Sequence, residues 1–412
     1  MNNLKIKFRW FSMMMMMIAL LSLITVACSS IDEPSTPISD GQNDSAISTR
    51  SAGTAQSLPM SEAMGIAYDV LDIENSESAT IQYVTTQRPE LLEALGSDII
   101  AYVFNFPISN RSIVIANVAC SIPVIATGTQ ITNVTNGKIH NPWFDSIEDF
   151  ISDLIDKEGS STDKEYKYKC LDHHHHIIRN RIKTKVHTGE PFNSYVLKEH
   201  PGCHAGSVPT ACAAAVEYTE KSFIYRSASY NLPQIRYCLE QGPGFFPLPD
   251  PPYVINTLNG IETDKPIAFL YSYDGAVSAT SSLISSFGKD MYTSYAKDNS
   301  TTYLSDAYRL LEKLGFELSS YKSQFDGQHI WELLDQDYLV IQEAFEKSTN
   351  KKTCFIITGG ENLNCDKMDA SGVLFDVYSV DDPDGYYSFT LNYLADGYAY
   401  VNKQYFGIKI EK

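Results

Sequence analysis

The run His204-Ala205-Gly206-Ser207-Val208-Pro209-Thr210-Ala211-Cys212-Ala213-Ala214-Ala215-Val216 constrains this chain more than any other stretch. Val208, Ala211, Cys212, Ala215 and Val216 recur at helical spacing on one face. Their small side chains let a neighbouring backbone approach closely, so this face is a buried one. Pro209 suits the first helical turn, where its missing N–H is not needed. Ser207, at the start, reads in two ways. It is an ordinary N-cap residue, or it is a nucleophile, in which case it needs a positioned base.

The first residues stand apart from any fold. Lys5, Lys7 and Arg9 precede an apolar run from Phe11 to Ala27, which ends at Thr25-Val26-Ala27-Cys28. A positive n-region, an apolar h-region and a small residue before cysteine form a lipoprotein signal. Residues 1–27 are therefore expected to be removed and Cys28 lipidated. The apolar run is short for a membrane span and has no stop-transfer flank. Residues 28–57, rich in Ser, Thr, Pro, Asp and Gly, cannot bury enough apolar surface to offset their ordering entropy and read as a tether. About 355 residues follow, which suggests two domains, and 26 Tyr and 19 Phe supply a sizeable core. Losing three positive charges with the signal takes the net charge from −18 to −21, which disfavours nucleic acid as a partner. Seven cysteines besides Cys28 leave at least one without an intrachain partner, and no CxxC spacing suggests a zinc ribbon.

In the body, Met60 to Ile73 has helical periodicity, while Thr80–Val84, Ile99–Phe106, Ser112–Ala116 and Ile122–Ala126 read as strands. A helix is expected over Phe144–Ile155, and Leu304, Ala307, Leu310, Leu311 and Leu314 form a helical stripe that ends at Gly315. Residues 159–179 are polar, and they include His173-His174-His175-His176. This stretch reads as a solvated linker or, less simply, as a weak site for a transition metal. Phe245 and Phe246 in the Pro-rich run 243–252 either pack inside the body or meet a partner.

Four segments carry a resemblance to the streptopain family of papain-like cysteine peptidases. The family run Ala-Gly-Cys-Val-Ala-Thr-Ala is matched by Ala205 to Ala211, with Ser207 at the nucleophile position. Thr-x-Trp-x-Gln-x-x-Pro-Tyr-Asn is matched by Thr184 to Asn193, with Thr188 in place of the oxyanion-donating Gln. Gly-His-Ala-Trp-Val-Val-Asp-Gly-Tyr is set against the segment up to Tyr378, with Asp376 matched and Ser371 in place of the base. Asn392 and Asp396-Gly397-Tyr398 match the last motif, in which Tyr393 replaces the shielding Trp. Ahead of these, Ala101–Phe106, Ser112–Asn117 and Ile122–Ala126 follow the strand order of the family's inhibitory prodomain.

The resemblance implies an α+β fold: a papain-like two-lobed domain with an antiparallel sheet at 180–412, behind a small α+β prodomain at 58–158. Together with the signal and Cys28, it implies a cell-envelope lipoprotein, anchored at the outer membrane or cell surface, that has lost its catalytic residues. Loss of one oxyanion donor alone typically costs roughly 10²–10³ in turnover. Such a pseudopeptidase would bind a protein or peptide, keep its own prodomain and use no cofactor or metal. Two other readings stay open: a peptidase rewired around Cys203, His204 and Cys212, and a purely structural surface protein. The resemblance also implies that Ser207 and Ser371 lie together in space.

Overall fold

The computed structural model describes residues 55–158 (apart from 75, 121 and 130–133), 177–178, 181–245, 272–362 (apart from 348) and 373–410 (apart from 383–385, 396–397 and 399). Cys28, the histidine run, Phe246 and Ser371 lie outside these residues, as does the side chain of Asn392.

The N-terminal half begins with helix α1 (Met60–Leu71), which buries Ala63, Ile66, Ala67, Val70 and Leu71. Strand β1 (Thr80–Thr85), helix α2 (Pro89–Leu95) and strands β2 (Ile99–Phe106), β3 (Arg111–Ala116) and β4 (Val124–Gly128) follow. Every residue of β2 except Ile99 and Asn105 is buried, as its unbroken apolar run suggests. A small hairpin, β5 (Val134–Thr135) and β6 (Lys138–Ile139), leads to a 3-10 turn at Pro142–Phe144, capped by the Asn141 side chain. This turn takes Phe144 out of the expected helix, and α3 runs over Ile147–Glu158.

The C-terminal half opens with β7 (Ile177–Ile178), α4 (Ser194–Glu199), α5 (Ser207–Val216), the hairpin β8 (Ser222–Tyr225) and β9 (Ala228–Asn231), and α6 (Leu232–Gln241). Then come α7 (Tyr273–Asp290), α8 (Leu304–Lys313) and α9 (Gly327–Asp335). The expected stripe falls on α8, which buries Leu304, Ala307, Leu310 and Leu311; Gly315, with φ 74°, turns the chain away. Phe245, half-buried, packs edge-on against Tyr237 with ring centres 5.7 Å apart, against the margin of the core. The chain closes with β10 (Tyr338–Glu346), β11 (Lys352–Asn362), β12 (Val373–Ser379), β13 (Tyr386–Thr390), α10 (Leu391–Ala395) and β14 (Tyr400–Lys409).

The fold is mixed α+β, built on one large antiparallel sheet in the order β1-β2-β3-β4-β13-β12-β11-β10-β14, with β7 also paired to β11. The two halves meet within it, because β4 pairs with β13 through Gly128–Tyr387, Thr127–Ser388 and Ala126–Phe389. Alternation along β12 sorts the core into two faces. Phe375 and Val377 point into a cluster that joins Trp143, Phe150 and Ile151 of the N-terminal half to Phe355, Phe389 and Tyr393 of the C-terminal half. Leu374 and Tyr378 point to the other face. There Leu374 meets the α1 cluster and Tyr378 meets the cluster built around α5, α6, α7 and α8. Trp143 is the pivot of the shared cluster, stacked on Phe389 at 4.8 Å and tilted against Tyr400 at 4.3 Å.

Candidate functional site

Helix α5 is the most deeply placed helix of the C-terminal half, and all ten of its residues are buried. The chain enters it through Gly206, whose φ of 80° suits a residue without a Cβ. A Cβ at Gly206 would come within 3.4 Å of both the backbone and the side chain of Ser300. Gly206 is the N-cap, so Ser207 is the first helical residue and does not cap the helix with its side chain. Thr210 closes the turn by donating its hydroxyl to the Gly206 carbonyl at 2.8 Å.

Ser207 is 5 % exposed, and it lines a small cleft of ≈ 80 Å³ with Thr188, His204, Asp298, Lys351 and Asp381. Thr188 is pinned by its backbone. Its N–H donates to the Val380 carbonyl at 2.8 Å, and its carbonyl accepts from the Ala205 N–H at 3.3 Å. Its hydroxyl donates to Asp381 Oδ1 at 3.1 Å, and the Thr353 hydroxyl donates to Asp381 Oδ2 at 2.6 Å. One carboxylate is thus held by two threonines from separate segments. The 298–300 loop closes the other side, where the Ser300 hydroxyl donates to the His204 carbonyl at 2.7 Å. Among the described residues, none hydrogen-bonds the Ser207 hydroxyl.

The expected site residues separate in space. Thr188 and Ser207 share the cleft. Tyr393 does not reach it: the ring is fully buried in the shared cluster, parallel to Phe389 at 5.7 Å, and its hydroxyl donates to the Trp143 carbonyl at 2.8 Å. Tyr393 therefore binds the two halves of the core together. Asp376 lies mid-strand on β12 and accepts from the Ser388 hydroxyl at 2.6 Å. Burial pushes its carboxyl up to about 6; Glu361 adds to the rise, while Ser388 and Arg111 oppose it. Ser371 lies outside the described residues. Asp381, which lines the cleft, follows the C-terminal end of β12.

The cysteines near Ser207 differ in setting. Cys212 is fully buried, and burial pushes its thiol far up. Cys354, on the facing strand β11, is likewise buried with its thiol raised. Cys203 is partly exposed. Among the described residues, no group of three or more His, Cys, Asp or Glu side chains is placed to hold a metal ion.

Thr353, Lys351 and Asp381 are the residues that the sequence reading missed. Neither Thr353 nor Asp381 carries a local signal, because each matters through a hydrogen bond between residues 28 positions apart.

No family model matches the chain, and no curated protein matches it. Among solved structures, it is similar to a fragment of prointerpain A from Prevotella intermedia, at 12% sequence identity and a TM-score of 0.49, covering 80% of this chain and 98% of that one. It is also similar to active wild-type interpain A, a cysteine protease of the same organism, at 16% identity and a TM-score of 0.33, covering 56% of this chain and 94% of that one.

Proposed function

We propose that this chain is a cell-envelope lipoprotein on a peptidase-like α+β body that binds a protein or peptide without hydrolysing it. The observation that carries this reading is the chemistry around the start of α5. Ser207 shares the cleft with Thr188, Asp381, Lys351 and an exposed His204, and Asp381 is held by the Thr188 and Thr353 hydroxyls, so a serine hydroxyl stands where a thiolate would be needed. A serine hydroxyl does not ionise near neutral pH, and it attacks only when a base takes its proton. Among the described residues, nothing accepts that proton by a hydrogen bond. Ser371, at the expected base position, carries a hydroxyl where an imidazole is required, and so does Thr353, which holds Asp381.

Burial disfavours Cys212 as a substitute nucleophile, because a thiol held protonated is inert. The N-terminal half shares a sheet and a core cluster with the rest, which supports its retention as the chain's own partner. The signal and Cys28 support lipid anchoring. The test is turnover of a denatured protein substrate by the purified mature chain. None is expected. Turnover abolished by Cys203→Ala or Cys212→Ala would overturn the reading in favour of a rewired peptidase.

A further inference from the structure

The cleft at the start of α5 pairs donors and acceptors in a way that names its ligand. On the floor, Ser207 and Val208 have no backbone acceptor for their N–H groups among the described residues, and Pro209 has no N–H. Ser207, 5 % exposed as a residue, lines the same space, and its hydroxyl has no partner among the described residues. Such a ten-residue helix start carries partial positive charge and favours an oxygen acceptor. On the rim are two exposed carboxylates, Asp298 and Asp381, against one ammonium, Lys351. Asp381 is already oriented, since each of its oxygens accepts one threonine hydroxyl. An ionised carboxylate has about four acceptor sites, so Asp381 keeps capacity for a ligand donor.

A ligand that suits both features carries an oxygen acceptor and, a few ångströms away, a cationic donor group. We infer that the cleft captures the free N-terminus of a polypeptide. Its α-ammonium would sit on Asp381 with Asp298 beside it, and its first carbonyl oxygen would face the N–H groups and hydroxyl at the start of α5. An α-amino group, with a pKa of about 7.7–8.0, is largely charged at neutral pH, as a lysine or arginine side chain is. What favours a terminus over those side chains is reach, because it carries its carbonyl at a fixed short distance from the ammonium, as capture of N-terminal amines requires. The body's net negative charge draws such a cationic group in.

This inference rests on the peptide-binding reading, and the experiment separates the two. The full-length mature chain in detergent is titrated calorimetrically with Ala-Ala-Ala-amide, with its N-acetylated form, with acetyl-Ala-Lys-Ala-amide, and with a twelve-residue N-acetylated peptide. The free-amine tripeptide is expected to bind at least about tenfold more tightly than either acetylated tripeptide. Asp381→Asn should abolish that difference while leaving the melting temperature near that of the unaltered chain. If Asp381→Asn fails to fold, Thr353→Val, which removes one of the hydroxyls that orient Asp381, should weaken the free-amine tripeptide selectively. Equal binding of free and acetylated peptides, equally tight binding of acetyl-Ala-Lys-Ala-amide, or binding of the twelve-residue peptide alone would overturn the inference and leave peptide binding standing. Binding of none of the four would overturn both.

Discussion

Buried carboxyls and a phenol show how far single residues reach in this molecule. Asp376 sits between the α1 cluster and the α5 cluster on one face of the sheet, and its carboxyl is pushed up to about 6 by burial from an ordinary 3.8. A raised carboxyl binds its proton more tightly in the folded state, so its contribution falls as pH rises from about 4 through 6. Glu217, fully buried at the end of α5 and pushed up to about 8 by burial, acts in the same direction through a higher window. Denaturant midpoints followed against pH should therefore decline from pH 4 upward. Asp376→Asn should flatten the lower part of that decline by roughly 1–3 kcal/mol between pH 4 and 7. A variant whose profile parallels the unaltered chain would show that Asp376 ionises freely. At Tyr393, replacement by Phe removes the hydrogen bond to the Trp143 carbonyl and should cost about 0.5–1.5 kcal/mol.

At the scale of the element, α5 depends on the glycine before it. Gly206→Ala forces a side chain into left-handed backbone and against Ser300, and should cost roughly 1–2 kcal/mol from the backbone alone. Thermal melting checks this, and an unchanged midpoint would mean that the entry to α5 relaxes at little cost. Elements are also where the sequence was most legible. The α8 stripe and the apolar run of β2 appear as their periodicity indicates, because each is decided by residues a few positions apart. Ser207 and Thr188, which line one cleft, stand out for the same reason, each inside a recognisable local run. Asp381 was not. It matters only because Thr188 and Thr353, 193 and 28 residues away, converge on it, and no local pattern carries that information. The pairing of β4 with β13 escaped for the same reason.

The whole molecule is organised by that pairing. The boundary expected between 158 and 180 is crossed by a continuous sheet and by a cluster in which Trp143 and Phe150 touch Phe389 and Tyr393. An ion pair crosses the join, with Asp149 of α3 meeting Lys347 at 3.1 Å, while Arg88 of the same half holds Asp149 at 2.7 Å. Exposed pairs of this kind add little, so the shared core does most of the holding. Cutting the chain within 159–176 should therefore leave the two pieces together. After a nick there, both should elute as one species in native gel filtration and separate only in denaturant. Two peaks under native conditions would show that the halves are separable bodies.

β13 has a second consequence if that association is ever undone. With the N-terminal half in place, its outer edge is occupied by β4. Without that half, β13 would present bare N–H and C=O groups beside the aromatic rings of Tyr387 and Phe389, an open template for strands from other molecules. The N-terminal half would then serve as a built-in guard against polymerisation, which matters most if the chain is tethered at a crowded membrane surface as proposed.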